Sequence, residues 1–310
     1  RQLPPQLDRL DEARPDEGDR PAAWSRADLR QRLERLPPGH PSSLQNVDHP
    51  APPETADRPE RNFWSEVPRF QDAWAEHLRR WPEDRRVTTV DRSRDPEGSW
   101  RGDGNQYLSP EQHAQTKEVI AAVQRAEEPL TDRMAAAARD NSRGCWQRGL
   151  ESRFKGEDRL KEKIADLAES SAPDATIGEL MREIPDAIRY TFGFEPDKYA
   201  AGYREVTQYL EASEYRMIYS KNHWPSDAEY KGVNTRWVTP EGQRFEVQFH
   251  TAESFHAKQE ITHRAYERSR NPLIGRGERR DVEAFQREVC SYITVPGEVD
   301  SILDYRDEGS

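Results

Sequence analysis

Two runs in the C-terminal half of the chain alternate apolar and polar residues: Val233–Thr239 and Gln243–His250, joined through Pro240-Glu241-Gly242. Successive side chains of a strand point to opposite faces, so these runs read as a β-hairpin with separable faces. One face carries Val233, Thr235, Trp237, Phe245, Val247 and Phe249; the other carries Asn234, Arg236, Glu246, Gln248 and His250. With the turn centred on Glu241, Arg236 lies opposite Glu246 and Asn234 opposite Gln248. A slip of one residue would mix the faces. The polar face is either the wet side of an antiparallel sheet or a wall lined for a ligand, and the pattern leaves both open. Its Asn-Arg-Glu-Gln-His mix, without the Lys/Glu alternation of a solvated face, suits the ligand wall somewhat better.

A second signal is cationic. Of 47 basic residues only eight are Lys, and seven of those fall between Lys155 and Lys258. In a chain that otherwise uses Arg, such clustering hints that compact ammonium groups are wanted there, although chance among eight residues explains it nearly as well. The basic segment Arg153–Ala168 (RFKGEDRLKEKIADLA) reads by itself as a solvated helix in which Glu157, Asp158 and Glu162 pair with cations three or four positions away. His250, His256 and His263 lack the i,i+4 spacing of a zinc helix, and Cys145 and Cys290 lack ligand spacing. There is no Gly-rich P-loop, no G-x-S-x-G elbow and no CxxC.

These groups need elements to hold them. Ser109-Pro110-Glu111-Gln112 forms a capping box that opens a helix to about Ala126, with a second helix over Leu130–Arg139. Arg153–Ala168 reads as a short strand or turn leading into a helix. Ile188–Phe194 suggests a strand, Pro196–Ala212 a helix and Arg216–Asn222 another strand. After the hairpin, Ala252–Arg268 is helical and Asp281–Ser291 closes the domain. Helices mixed with mostly antiparallel strands indicate an α+β fold.

Composition divides the chain. Among 310 residues, 33% are hydrophobic and 34% charged, so a sizeable part cannot join a core. Fourteen of the 23 Pro lie in residues 1–100, which predicts a poorly ordered leader over 1–107 and a folded domain over 108–310. Two islands interrupt the leader: Ala23–Leu36, with helical spacing, and Asn62–Trp81, whose aromatic stripe is read as packing surface rather than a partner's dock. The chain begins with Arg and reads as a piece of something longer. Its net charge of −11 argues against a surface that coats DNA or a membrane. No apolar run approaches the ~18 residues of a membrane span.

Phe245-Glu246-Val247-Gln248-Phe249-His250-Thr251, followed by Phe255-His256 and His263-Arg264-Ala265-Tyr266, resembles the synthetase signature of the RelA/SpoT family. Three further segments stand in that family's order. Arg153, Lys155, Arg159 and Lys163 reproduce the spacing Arg-x-Lys-x3-Ser-x3-Lys, with Arg159 in the Ser position. Asp186-Ala187-Ile188-Arg189-Tyr190 resembles the metal-Asp strand, its Arg three rather than five residues after the Asp. Tyr230-Lys231-Gly232-Val233-Asn234 resembles Tyr-x-Ser-Leu-His, with Asn for His. The match covers about residues 153–268.

The resemblance implies transfer of the β,γ-pyrophosphate of ATP to the 3′-hydroxyl of a purine nucleotide. It makes Asp186 and Glu246 the catalytic carboxylates and Mg²⁺ ligands, Glu246 also the general base. Arg153, Lys155, Arg159 and Lys163 are then expected on the ATP phosphates, with Arg189, Lys221 and His250 as further phosphate contacts. Tyr230 is the expected stacking platform for the acceptor base, and Asn234 and Gln248 position the acceptor. No His-Asp hydrolase signature is present, so a synthesis-only enzyme is implied. The leader resembles linkers upstream of C-terminal toxin domains in large secreted actinobacterial proteins. That implies a secreted effector acting in a target cell's cytoplasm, with an immunity protein as partner and the alarmones (p)ppApp or (p)ppGpp as products. Pyrophosphorylation of the tRNA 3′ end, which the acidic balance disfavours, and a non-catalytic nucleotide-binding module are the alternatives.

Overall fold

The computed structural model describes residues 62–82, 92–104, 106–172, 174–225, 227–271 and 274–307. The island at Ala23–Leu36 lies outside them. Eight strands are present among these residues. Two of them, β1 (Trp100–Arg101) and β2 (Tyr107–Leu108), pair with each other across the boundary expected between the leader and the folded domain. The other six are β3 (Trp146–Gln147), β4 (Arg189–Gly193), β5 (Arg216–Asn222), β6 (Val233–Val238), β7 (Arg244–His250) and β8 (Tyr305–Arg306). They form one sheet in the order β3-β4-β7-β6-β5-β8. Every neighbouring pair is antiparallel except β4 and β7, which run parallel. The helices are α1 (Phe63–Arg80), α2 (Pro110–Arg139), α3 (Glu157–Ser170), α4 (Ile177–Arg182), α5 (Tyr199–Ala212), α6 (Ala252–His256), α7 (His263–Arg270) and α8 (Arg276–Ser291). The result is the expected α+β architecture, a mixed and mostly antiparallel sheet flanked by helices.

The hairpin has the register that its faces require. Arg236 pairs with Glu246 and Asn234 with Gln248. All six residues of the apolar face are fully buried. On that side, the Tyr203 ring of α5 meets Phe249 edge-on at 4.8 Å, and the Tyr199 hydroxyl donates to the Phe249 carbonyl at 2.7 Å. Phe192 of β4 stacks beside Phe249 at 5.9 Å, and Thr131 of α2 lies 2.9 Å from the Tyr190 hydroxyl. Each such ring takes roughly 150–250 Å² out of water, so this face contributes strongly to stability.

Two helical expectations need correction. The Ser109 capping box is present, with Gln112 N donating to Ser109 Oγ at 3.2 Å and Ser109 N to Gln112 Oε1 at 3.0 Å. The helix it opens, however, runs 30 residues, through Pro129, instead of ending near Ala126. Its buried stripe of Ile120, Val123, Glu127, Leu130, Met134 and Ala137 continues on both sides of the proline. Packing of that stripe offsets the ~3 kcal/mol that an interior Pro costs. The continuous helix expected over Ala252–Arg268 is instead α6, a π-helical turn at Ala257–Ile261, and α7. Thr262 closes the wide turn, its N–H and hydroxyl reaching the Ala257 carbonyl at 2.8 and 3.0 Å. The aromatic island Asn62–Trp81 folds as α1 and packs on this same chain: Phe63 against His256, Phe70 against Tyr292 and Trp74 against Phe285.

Phe249 lies where β4, β6 and α5 converge. Phe249→Ala is expected to cost about 3–5 kcal/mol in urea unfolding; a loss below about 1 kcal/mol would show that this face is not the core.

Candidate functional site

Asp186 occupies a 3₁₀ turn, Pro185–Ala187, just before β4. The strand-like segment ahead of α3 docks beside it. Lys155 N donates to the Ala187 carbonyl at 2.9 Å and Arg189 N to the Arg153 carbonyl at 2.7 Å. This pairing brings Lys155 Nζ to 2.6 Å from Asp186 Oδ2, while Lys163, two turns into α3, brings Nζ to 2.8 Å from Oδ1. Arg189 adds a third cation, its Nη2 3.1 Å from Oδ2. Burial works against the charged carboxylate, but the hydrogen bonds from Lys155 and Lys163 outweigh it and hold Asp186 ionised, well below the ordinary range. Burial pulls the Lys155 ammonium down against the opposing pull of Asp186.

The parallel pairing of β4 with β7 sets Arg189 beside Glu246. Arg189 Nε lies 3.3 Å from Glu246 Oε1, yet no group satisfies it as a hydrogen-bond donor in its buried position. Gln248 Nε2 donates to the same Oε1 at 2.5 Å, and Lys258 Nζ donates to Gln248 Oε1 at 2.5 Å. Glu246 Oε2 has no partner among the described residues. Asp186, Arg189, Glu246, Gln248 and Lys258 therefore form a continuous polar chain, joined at Asp186 by Lys155 and Lys163.

A second group sits beyond Gln248. The Tyr230 hydroxyl donates to Asn234 Oδ1 at 2.7 Å and lies 2.9 Å from His250 Nε2; Ser254 Oγ lies 2.9 Å from His250 Nδ1. His250 is completely buried. Burial, with Lys258 and Arg189 adding to it, keeps its imidazole neutral, well below the usual range. Burial likewise raises the Tyr230 phenol, with Glu246 reinforcing the effect. The three groups can be ordered as Ser254 O–H to Nδ1, Nε2–H to the Tyr230 oxygen, and the Tyr230 O–H to Asn234. Gly232 makes the packing possible. A Cβ there would lie 2.8 Å from the Phe249 carbonyl oxygen, 3.0 Å from the Tyr230 hydroxyl and 3.1 Å from His250, at a φ of +153°.

Other expected residues stand apart. Arg153 is drawn to Glu127 of α2, which also takes Thr131, and Arg153 Nη1 donates to the Leu150 carbonyl at 2.7 Å. Arg159, 69% exposed, pairs with Glu162 at 2.8 Å. Lys161 pairs with Glu157 at 2.6 Å, the i,i+4 partner expected on that helix, but its side chain is buried and not solvated. Lys221 lies next to Asn234 in the sheet register, but its ammonium is held by Asp304 at 2.5 Å. With both nitrogens engaged in the interior, His250 contributes as a support for Tyr230. Sequence reasoning missed Lys258. Its one signal was membership of the lysine cluster; the π-helical turn that aims it at Gln248 has no sequence mark.

Three solved structures are similar to this chain. They are the type VI effector Tas1 in complex with its immunity protein (17% identity, TM-score 0.38, covering 61% of this chain and 96% of that one), the small alarmone synthetase 1 from Bacillus subtilis bound to its product pppGpp (13%, 0.41, 57% and 92%), and a GTP pyrophosphokinase family protein from Streptococcus pneumoniae (17%, 0.37, 59% and 90%). No protein-family profile and no curated protein matches the chain.

Burial, reinforced by Arg189 and opposed by Glu246, lowers the Lys258 ammonium to about 8. Between that value and the ordinary ~10.4, the unfolded chain holds a proton that the native state has released, so stability rises with pH across this window. Lys258→Met removes the term. The wild-type curve should climb relative to the variant between pH about 7 and about 10, by up to about 3 kcal/mol. Urea midpoints that run parallel would show that the ammonium is not buried as described.

Proposed function

We propose that this chain transfers the β,γ-pyrophosphate of ATP to the 3′-hydroxyl of a purine nucleotide, in the manner of the RelA/SpoT synthetases that its motifs resemble. The observation that carries this is the convergence of Lys155, Lys163, Asp186, Arg189 and Glu246, from separate segments, on one centre. A triphosphate carries several negative charges, and a site that accepts one must neutralise them in advance. Here four cations, counting Lys258, surround two carboxylates. The buried, unsatisfied Nε of Arg189 is a donor suited to a phosphate oxygen.

The donor set also fits Mg²⁺. Asp186 and Glu246 offer hard oxygen ligands next to a common guanidinium, and Mg²⁺ commonly takes one or two carboxylates with substrate phosphates completing its shell. Among the described residues no cluster of three or more His, Cys, Asp or Glu stands ready as a metal cage, so phosphate would supply the remaining ligands. Bound there, the ion would neutralise charge on the transferring group.

The chain's own residues do the rest. Lys155 and Lys163 exchange their hold on Asp186 for phosphate oxygens when the nucleotide enters. Glu246, oriented through Oε1 by Gln248, keeps Oε2 for the acceptor's 3′-hydroxyl and accepts its proton. The 3′-oxygen bonds to the β-phosphorus as the bond from that phosphorus to the α,β-bridging oxygen breaks, and AMP departs with the electron pair. Tyr230, Asn234 and Gln248 line the acceptor side.

An enzyme that consumes ATP in this way, with no hydrolase motif to reverse it, suits a growth-arresting effector delivered into another cell's cytoplasm and restrained at home by an immunity protein. Adenosine and guanosine acceptors are both compatible with this site. The test is incubation with γ-labelled ATP and AMP, ADP, GDP, GTP or tRNA. Label is expected in a purine nucleotide, and Glu246→Gln is expected to lower transfer by at least ~100-fold with the fold intact. Label in none of the acceptors would falsify the enzymatic reading and favour a nucleotide-binding module; label in tRNA alone would move the acceptor to its 3′ end.

A further inference from the structure

The polar face of the sheet continues past Glu246 toward the hairpin turn, where it meets a cavity of about 90 Å³. Glu183, Pro185, Tyr219, Arg236, Arg244 and Arg306 line it. Three arginines thus line one small cavity with a single glutamate. None of the three forms an ion pair with Glu183 or with any other carboxylate among the described residues. Other arginines of the chain do find acids: Arg101 meets Asp95, Arg143 meets Glu205 and Arg287 meets Glu229. Unpaired guanidinium groups around one cavity repel one another, and an anion placed among them would relieve that repulsion.

The surroundings hold two of the three in place. Arg236 lies over the Tyr219 ring, 4.7 Å from its centroid, and Arg244 Nη1 donates to the Arg182 carbonyl at 3.3 Å. Arg306 stands on the edge strand β8, opposite Tyr219 in the register. Pre-positioned guanidinium forks match the oxygens of a phosphoryl group, which can take two parallel hydrogen bonds from each. The location is also telling. Pro185 immediately precedes Asp186, Arg236 is the cross-strand partner of Glu246, and Arg244 lies two residues before Glu246 on the same face. The cavity therefore adjoins the candidate centre and shares its wall.

We infer that Arg236, Arg244 and Arg306 form a phosphoryl-oxyanion site distinct from the Lys155–Asp186–Lys163 cluster. Its occupant is either the 5′-phosphate chain of a nucleotide seated against Glu246 or free inorganic phosphate or pyrophosphate; the recognition chemistry is the same. The site stands without the transfer reaction. A protein that binds through these arginines yet moves no label retains this site and loses only the activity proposed above.

The test is calorimetric titration of the full chain with ADP, adenosine and inorganic pyrophosphate, using wild type, Arg236→Gln, Arg306→Gln and Arg139→Gln. Arg139 is a surface residue paired with Asp140, and it controls for loss of one charge. The two cavity variants should bind ADP at least ~10-fold more weakly, with adenosine unchanged and the control like wild type. Each Arg–phosphoryl contact is charge-assisted, so a loss of this size is its expected effect. Pyrophosphate binding that falls in parallel identifies the free anion as an occupant; pyrophosphate binding that does not change identifies the nucleotide's 5′-phosphates. Variants that bind both ADP and pyrophosphate as wild type does, with unaltered thermal melting, overturn the proposal.

Discussion

Three cations grip one carboxylate, and the arrangement of the site follows from that grip. Lys155, Lys163 and Arg189 reach Asp186 from three segments: the strand-like stretch before α3, α3 itself and the first residue of β4. Two ammonium groups and a guanidinium around a single negative charge leave positive charge over. Burial raises the cost of that surplus, because desolvated like charges repel strongly. That surplus is what the proposed polyphosphate substrate would neutralise. Arg189 transmits the same constraint to Glu246, since its guanidinium stands next to both carboxylates.

The surrounding fold keeps these groups from relaxing. The apolar face of the sheet is locked by stacked and edge-on rings, so β4 and β7 cannot shift in register without exposing Phe192 and Phe249. On the polar face, His250 is spent on holding Tyr230, and Gly232 leaves room for both. A buried neutral histidine with both nitrogens used makes a rigid post. The π-helical turn does comparable work for Lys258, placing an ammonium where a regular helix would direct a different residue. Wide turns of this kind recur at functional sites.

What could be read from the sequence was whatever depends on short-range periodicity. Strand alternation has a period of two, so the pairing of Arg236 with Glu246 and of Asn234 with Gln248 followed from the hairpin residues alone. The Ser109–Gln112 capping box was legible for the same reason. The parallel neighbour of β7 was not, because β4 lies more than 50 residues upstream and no local pattern names it. Nor could spacing separate Lys163 from Arg159. Both lie on α3 at motif spacing, Arg159 in the Ser position, but only one side of that helix faces Asp186, and Arg159 turns to solvent. The partner of Arg153 is equally invisible to local spacing: Glu127 sits on another helix, 26 residues away. The run through Pro129 was hidden because packing, a tertiary effect, outweighed a local rule.

The central claim is that Asp186 and its three cations form a metal-dependent polyphosphate site. Calorimetric binding of a non-reactive ATP analogue, with and without Mg²⁺, tests it most directly. The account predicts that Mg²⁺ tightens binding to the wild-type protein at least ~10-fold and that Asp186→Asn abolishes this dependence, since the carboxylate is the group through which the ion and the phosphates share the site. Equal affinity with and without the ion, unchanged by Asp186→Asn, would contradict it.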